Sequence, residues 1–386
     1  MVSATLPYHE LGFDTVSAFA VPFLNGEPVA VDEIDEGNLN RVFRVRSEDS
    51  SIIVKQALPY LKVAGRSWPL TRHRARTEND AMAVHGALAP GLVTPVLHFS
   101  EPMSALVFED LHDHQTWRDA LIAGRDVPGA ATDLGRYCAQ VLLGTSDALL
   151  PSAKRKELRR RFQYSELCLV TEDLVFTAPY ADSQSNRFDP EIAELARSLQ
   201  SDRALRSAAA QLRFAFKTRD EALVHGDLHT GSVLVRDGDT RVIDLEFAFF
   251  GPIAFDPGLL LANLAFSRIA HAAIGELDFC ATVDRAAADF WSTFAEECRR
   301  LWRPTEPWLA QFRGSMLADA ARFAGMEMIR RVVGLAHVKD IDSLPQPARS
   351  DAQRSVVAGG RALILGPPCT DFDELWARAT QEEKYE

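Results

Sequence analysis

The chain predicts an α+β protein of two lobes, a small β-rich N-terminal lobe followed by a larger, mainly helical C-terminal lobe. Three observations lead there. At 386 residues the chain exceeds one ordinary domain of ~100–200 residues. With 47% hydrophobic and 25% charged residues, it has the composition of a soluble globular protein rather than a disordered, collagen-like or disulfide-rich one. The hydrophobic period also changes from about two to about 3.6 residues partway along the chain.

The elements follow in order. Between residues 30 and 108, short β-rich segments fall at 42–45, 51–55, 93–99 and 105–108, with a helix-like stretch at 74–85. The pattern switches at Glu109-Asp110-Leu111. Beyond it, helical periodicity marks 130–150, 190–198, 204–216, 283–302, 316–334 and 351–363, interrupted near 223–250 by two short strands. The polar stretch 182–189 reads as a surface loop. These boundaries give an N-terminal lobe at 1–108, a hinge at 109–111 and a C-terminal lobe at 112–386, with no internal repeat.

Charge narrows the partners. Forty-two Lys and Arg against 54 Asp and Glu leave a formal charge of −12, which argues against nucleic acid and anionic membranes. The basic run 154–161 follows Pro151 and Ser152 and reads as a solvated helix face without a function. Five scattered cysteines, Cys138, Cys168, Cys280, Cys298 and Cys369, suit neither a disulfide framework nor a metal knuckle. The most apolar stretch, 247–266, is broken by Gly251, Pro252, Asp256, Pro257 and Gly258, and no basic-then-apolar leader opens the chain. The expectation is a cytoplasmic protein. His85, His98, His271 and His337 read as packed or surface histidines.

The segment richest in chemistry is His225-Gly226-Asp227-Leu228-His229-Thr230-Gly231-Ser232, a turn after an apolar strand that displays Asp227. Asp244 and Glu246 follow on a second strand, and the D-x-E spacing would put both acids on one face of extended chain. Phosphoryl transfer needs one carboxylate to orient a hydroxyl and others to hold Mg²⁺ on the nucleotide phosphates. Asp227 suits the first role and Asp244 the second. Ser232 stands where kinases usually have a metal-binding Asn, and Glu246 is the natural substitute. In the N-terminal lobe, Lys55 ends an apolar strand and Glu78 on the following helix could pair with it. The turn containing Gly37, Asn38 and Asn40 could bring backbone N–H groups to phosphates. Each of these signals alone fits an ordinary hairpin or a surface charge.

Taken together, the residues resemble the protein-kinase-like small-molecule kinases, the superfamily of aminoglycoside phosphotransferases, and within it the S-methyl-5-thioribose kinase family of methionine salvage. The resemblance rests on Glu36-Gly37-Asn38-Leu39-Asn40, Val54-Lys55-Gln56, Trp68-Pro69-Leu70-Thr71 with Arg74 and Glu78, the segment from His225 to Ser232, Glu246-Phe247-Ala248-Phe249-Phe250-Gly251-Pro252 with Phe255-Asp256, and Arg330-Arg331-Val332-Val333-Gly334. It spans roughly residues 35–340 and implies a two-lobed protein-kinase-like fold that uses ATP and Mg²⁺. It implies that Asn38 or Asn40 and Lys55 contact the phosphates, with Glu78 steadying Lys55, and that the backbone of Glu109, Asp110 and Leu111 binds adenine. It further implies that Asp227 meets the sugar 1-hydroxyl, that Asp244 and Glu246 bind Mg²⁺, that Trp68 lies near the substrate, and that Arg330 and Arg331 reach the sugar and the transferring phosphate. A homodimer is also implied.

On a plain helix, consecutive residues point about 100° apart, so one arginine of the pair would be expected to face away. Two departures stand out: Glu36 where the family usually has Asp, and Leu245 where it usually has Pro. A kinase of the same plan acting on 5-deoxyribose, homoserine, choline or an aminoglycoside remains open, as does a non-catalytic nucleotide-binding pseudokinase.

Overall fold

The computed structural model describes residues 7–34, 39–62, 65–162, 166–302 and 307–381. The N-terminal part is a five-stranded antiparallel sheet ordered β1-β2-β3-β7-β6, from β1 (Ala30–Glu33), β2 (Asn40–Arg46), β3 (Ser51–Ala57), β6 (Val96–Ser100) and β7 (Ala105–Glu109). A hairpin of β4 (Tyr60–Leu61) and β5 (Gly65–Pro69) stands beside it, and helices α1 (Phe13–Ala20) and α2 (Arg74–Leu88) accompany the sheet.

Strand alternation decides which side chains meet which helix. Phe43, Val54 and Val107 are cross-strand neighbours on one face and pack with Leu11, Val16 and Ala20 around α1. One residue along, Val42, Lys55 and Leu106 are neighbours on the other face, and Leu106 and Phe108 pack with Ala75, Ala81 and Met82 of α2. Lys55 is thereby turned toward α2. Arg74 and Glu78 lie one helical turn apart on α2, so they share a face.

The larger part holds α3 (Trp117–Ile122), α4 (Ala130–Thr145), α5 (Ser152–Arg161), α6 (Glu166–Leu174), α7 (Ala193–Ser201), α8 (Arg203–Thr218), α9 (Phe255–Ala273), α10 (Leu277–Leu301), α11 (Pro307–Val333), α12 (Lys339–Asp342), α13 (Ala348–Leu365) and α14 (Phe372–Thr380). Small residues let these helices cross closely. A Cβ on Gly135 of α4 would lie 2.6 Å from the Phe290 carbonyl of α10, and one on Gly258 of α9 would lie 2.6 Å from that of Ala320 on α11.

The expected break in the apolar stretch 247–266 is instead a helix start. Pro257 sits in the first turn of α9, where its missing N–H leaves no bond unmade. No helix among the described residues is long and apolar enough to cross a membrane.

Short strands carry the chemistry between the helices. Strand β8 (Gln115–Thr116) pairs with β10 (Val233–Arg236), which forms a hairpin with β11 (Asp239–Val242), while β9 (Ala222–Val224) pairs with β12 (Phe249–Gly251). The strand expected at 93–99 begins only at Val96, because the backbone before it is spent elsewhere: Thr94 N–H donates to the Val242 carbonyl at 3.1 Å and Val242 N–H donates to Leu92 at 2.8 Å. That bridge ties the N-terminal sheet to β11. One apolar core also runs from Ala57 and α2 through α4, α9, α10 and α11, so the two parts share packing.

Candidate active site

Asp227 sits on a turn that little else could form. Gly226 has φ +87°, and a Cβ there would lie 2.3 Å from the Phe247 carbonyl. Asp256, in the first turn of α9, accepts the N–H groups of His225 at 2.6 Å and Gly226 at 3.0 Å. The His225 ring accepts Asp227 N–H at Nδ1 (3.3 Å) and donates from Nε2 to the Ile243 carbonyl (2.9 Å), which fixes its tautomer and binds this turn to the next. Ser232 Oγ donates to the Asp227 carbonyl at 3.2 Å.

The Asp227 carboxylate faces three cation-capable groups. Arg330 Nη2 lies 3.4 Å and Arg331 Nη2 3.6 Å from Oδ1, and His229 Nε2 lies 3.5 Å from Oδ2. Both arginines therefore point into the site, contrary to the expectation that one would face away. The reason is Glu327, a fully buried residue one turn back on α11. It accepts Arg330 Nε at 2.6 Å and Nη2 at 3.0 Å, and Arg331 Nε at 2.7 Å, drawing both guanidinium groups to one side. Burial alone would raise the Asp227 carboxyl, but His229, Arg331 and Arg330 overcome it and hold Asp227 well below the usual carboxylate range. Its side chain keeps 24% exposure, enough to meet a ligand. Arg118 borders the group, with Nη2 donating to Asn263 at 2.6 Å and Nε 3.1 Å from buried Asp340.

A second acidic cluster lies toward the sheet. Lys55 is bonded to Glu78 at 2.7 Å and also contacts Asp244. Burial would depress the lysine, but Asp244, Glu78 and Glu246 outweigh it and keep it charged. Asp244 and Glu246 do not share the face of an extended strand, as their spacing had suggested. β11 stops at Val242, Asp244 adopts left-handed geometry at φ +70°, and Leu245–Phe247 form a 3₁₀ turn. Leu245 is fully buried and anchors that turn. Asp244 is left 41% exposed, while Glu246 turns inward to Asn40 Nδ2 (2.8 Å) and Arg74 Nε (3.0 Å). Burial first, and the neighbouring Asp244 next, push the Glu246 carboxyl upward.

No group of three or more His, Cys, Asp or Glu among the described residues is arranged to hold a metal ion unaided. The chemistry still fits Mg²⁺, which keeps several waters and is usually held by one or two carboxylates plus substrate phosphates. Asp244 is open, and Glu246 Oε2 is in ion contact with Arg74 without an aligned hydrogen bond, which leaves it a free lone pair.

The other expected residues are dispersed. Asn38 lies outside the described residues, as do Glu36 and Gly37. Asn40 is buried with its side chain committed to Glu246 and Arg74. Glu109 ends β7 exposed, Asp110 is pinned by Arg44 (2.9 Å) and Ser51 (2.6 Å), and the Leu111 carbonyl accepts His114 N–H. Trp68 is half-buried on β5. Sequence reasoning missed Glu327, His229, Asp256 and Arg118. Glu327 had a positional signal, a Glu three and four residues before an Arg pair, and His229 and Asp256 lay within the quoted motifs without being given a role, whereas Arg118 had no signal.

The chain has relatives among known proteins. The model of the family described as "Phosphotransferase enzyme family" matches residues 30–302. A methylthioribose kinase from Yersinia pseudotuberculosis is 42% identical over 358 residues, covering 89% of this chain and 88% of its own. One from Pectobacterium atrosepticum is 40% identical over 369 residues, covering 92% of each. Among solved structures, a choline/ethanolamine kinase family protein from Mesorhizobium loti matches 95% of this chain and 99% of its own, with 16% identity and a TM-score of 0.45.

Proposed function

Because the chain belongs to the methylthioribose kinases of the phosphotransferase enzyme family, we propose that it transfers the γ-phosphate of ATP to the 1-hydroxyl of S-methyl-5-thioribose, giving the 1-phosphate and ADP. The observation that carries this reading is the Asp227 carboxylate flanked by Arg330 and Arg331, a carboxylate for a hydroxyl beside two rigid forks for developing phosphoryl charge.

Asp227 orients the 1-hydroxyl and accepts its proton as the O–P bond forms and the bond to the departing ADP oxygen breaks. Held well below its usual pKa, it stays ionised at working pH and is a weak base. That suits a loose transition state, in which positioning outweighs proton abstraction. Arg330 and Arg331 steady the sugar and neutralise the transferring group. Lys55, steadied by Glu78, serves the nucleotide phosphates together with Asn38 or Asn40, and the backbone of residues 109–111 serves adenine. Asp244 and Glu246 would hold Mg²⁺, which would supply positive charge to the nucleotide phosphates. Trp68 belongs beside the substrate.

The boundaries 1–108, 109–111 and 112–386, a homodimer and a cytoplasmic location complete the reading. The test is Asp227→Asn. Turnover should fall by about 10²–10⁴ while ATP affinity stays within about twofold, and near-normal turnover would overturn the assignment.

A further inference from the structure

Arg74 is almost wholly buried yet makes contacts that packing alone does not require. Nη1 donates to the carbonyls of Leu58 (2.7 Å) and Thr71 (2.6 Å), and Nη2 to the carbonyl of Leu39 (3.0 Å) and Asn40 Oδ1 (3.0 Å). Nε lies 3.2 Å from Asn40 Oδ1 and 3.0 Å from Glu246 Oε2. These partners come from four separate segments: the start of β2, the end of β3, the turn before α2, and the 3₁₀ turn that follows Asp244. Asn40 closes the circle by donating to Glu246 Oε1 at 2.8 Å, and Thr71 N–H reaches Glu166 of α6 at 3.0 Å. Both oxygens of Glu246 are thus addressed from the N-terminal part of the chain.

A buried Arg–Glu pair is seldom the stablest way to fill such a space, since desolvation offsets much of the attraction and apolar residues often serve as well. What the pair does supply is geometry. The guanidinium presents five donors in a fixed plane, and a lysine ammonium, with three donors on one atom, cannot reproduce them. Side-chain exposures of 1% for Arg74 and 2% for Glu246 shield their contact from bulk solvent.

We infer that Arg74 is a positioning residue that sets Glu246 for divalent-metal binding and couples that acid to the turns at Leu39-Asn40 and Thr71. The inference rests on the proposed metal role of Glu246. Order at the start of β2 and order at Glu246 are then one event, so the metal and the nucleotide strengthen each other's binding through this fork.

The experiment compares wild type, Arg74→Lys, Asn40→Ala, Glu246→Gln and Arg74→Lys/Glu246→Gln. Calorimetry measures binding of a non-hydrolysable ATP analogue across a MgCl₂ series, thermal melts check the fold, and steady-state kinetics give kcat and KM. Arg74→Lys should melt cooperatively and bind the analogue without metal to within about twofold of wild type. Its Mg²⁺ requirement should rise about tenfold, the equivalent of one charge-assisted hydrogen bond, with kcat falling more than KM. Asn40→Ala should shift the requirement the same way by about threefold. Adding Arg74→Lys to Glu246→Gln should change it no further.

An unchanged Mg²⁺ requirement in Arg74→Lys, or additive effects in the double variant, would overturn the inference. Should Arg74→Lys fail to fold, Asn40→Ala decides on the same criterion. If wild type binds nucleotide with the expected metal dependence but does not turn over S-methyl-5-thioribose, the proposed substrate fails and the inference stands.

Discussion

Replacing Glu327 by Gln tests whether the arginine pair is aimed by a buried acid. The substitution keeps the shape and removes the charge that accepts three hydrogen bonds from Arg330 and Arg331. Glu327 has no exposed surface, and burial would raise its carboxyl, but the two arginines overcome this and lower it, so the native state holds it ionised. Hydrogen bonds to charged groups are worth about 1.5–3 kcal/mol each, and breaking a buried ion pair by removing one partner costs about 3–5 kcal/mol in all. Stability should therefore drop by roughly 3 kcal/mol, seen as a lower urea midpoint with unchanged slope. Freed from Glu327, the guanidinium groups would move off the line to Asp227. Losing preorganised donors to a developing oxyanion costs about 10²–10³ in kcat. KM for the sugar should rise and KM for ATP should hold, while Glu327→Asp, which retains the charge, should fall between. A Glu327→Gln enzyme with kcat and sugar KM both near wild type would refute the reasoning.

Other outcomes follow from the same geometry. Gly226→Ala should abolish turnover and destabilise by about 3 kcal/mol or more, since its Cβ would overlap the Phe247 carbonyl on left-handed backbone; a folded, active variant in melts and assays would contradict that. His85, fully buried and bonded to Tyr137 at 2.8 Å, is pushed down to about 3 by burial and by nearby His225. Above the unfolded value of about 6.5 its contribution is fully present, and below it the unfolded chain gains a proton that the native state refuses. That removes about 2 kcal/mol by pH 5, a loss continuing toward pH 3. Urea titrations at pH 7, 6 and 5 should show this slope flattened in His85→Gln, and equal slopes in the two proteins would count against it.

How far the sequence could be read depended on whether local pattern or tertiary contact decided each element. Alternation in β2, β3 and β7 was legible because one face packs on α1 and the other on α2, and the same alternation delivered Lys55 to Glu78. Helix α9 was hidden because it is buried on nearly every side, so it has no polar stripe to mark a period, and its Pro and Gly looked like breaks. Asp244 and Glu246 were wrongly placed on a strand. What turns the chain there is the burial of Leu245 and the grip of Asn40 and Arg74 from some two hundred residues away. Arg330 and Arg331 appeared to diverge on helix geometry alone, and only the position of Glu327 against the core shows why they converge.

The most direct test of the central claim is ATP consumption by the purified protein with Mg²⁺, offering S-methyl-5-thioribose beside 5-deoxyribose, ribose, homoserine, choline and an aminoglycoside. The account predicts saturable turnover on S-methyl-5-thioribose that is lost in Asp227→Asn. Turnover confined to another alcohol, or to none, would contradict it.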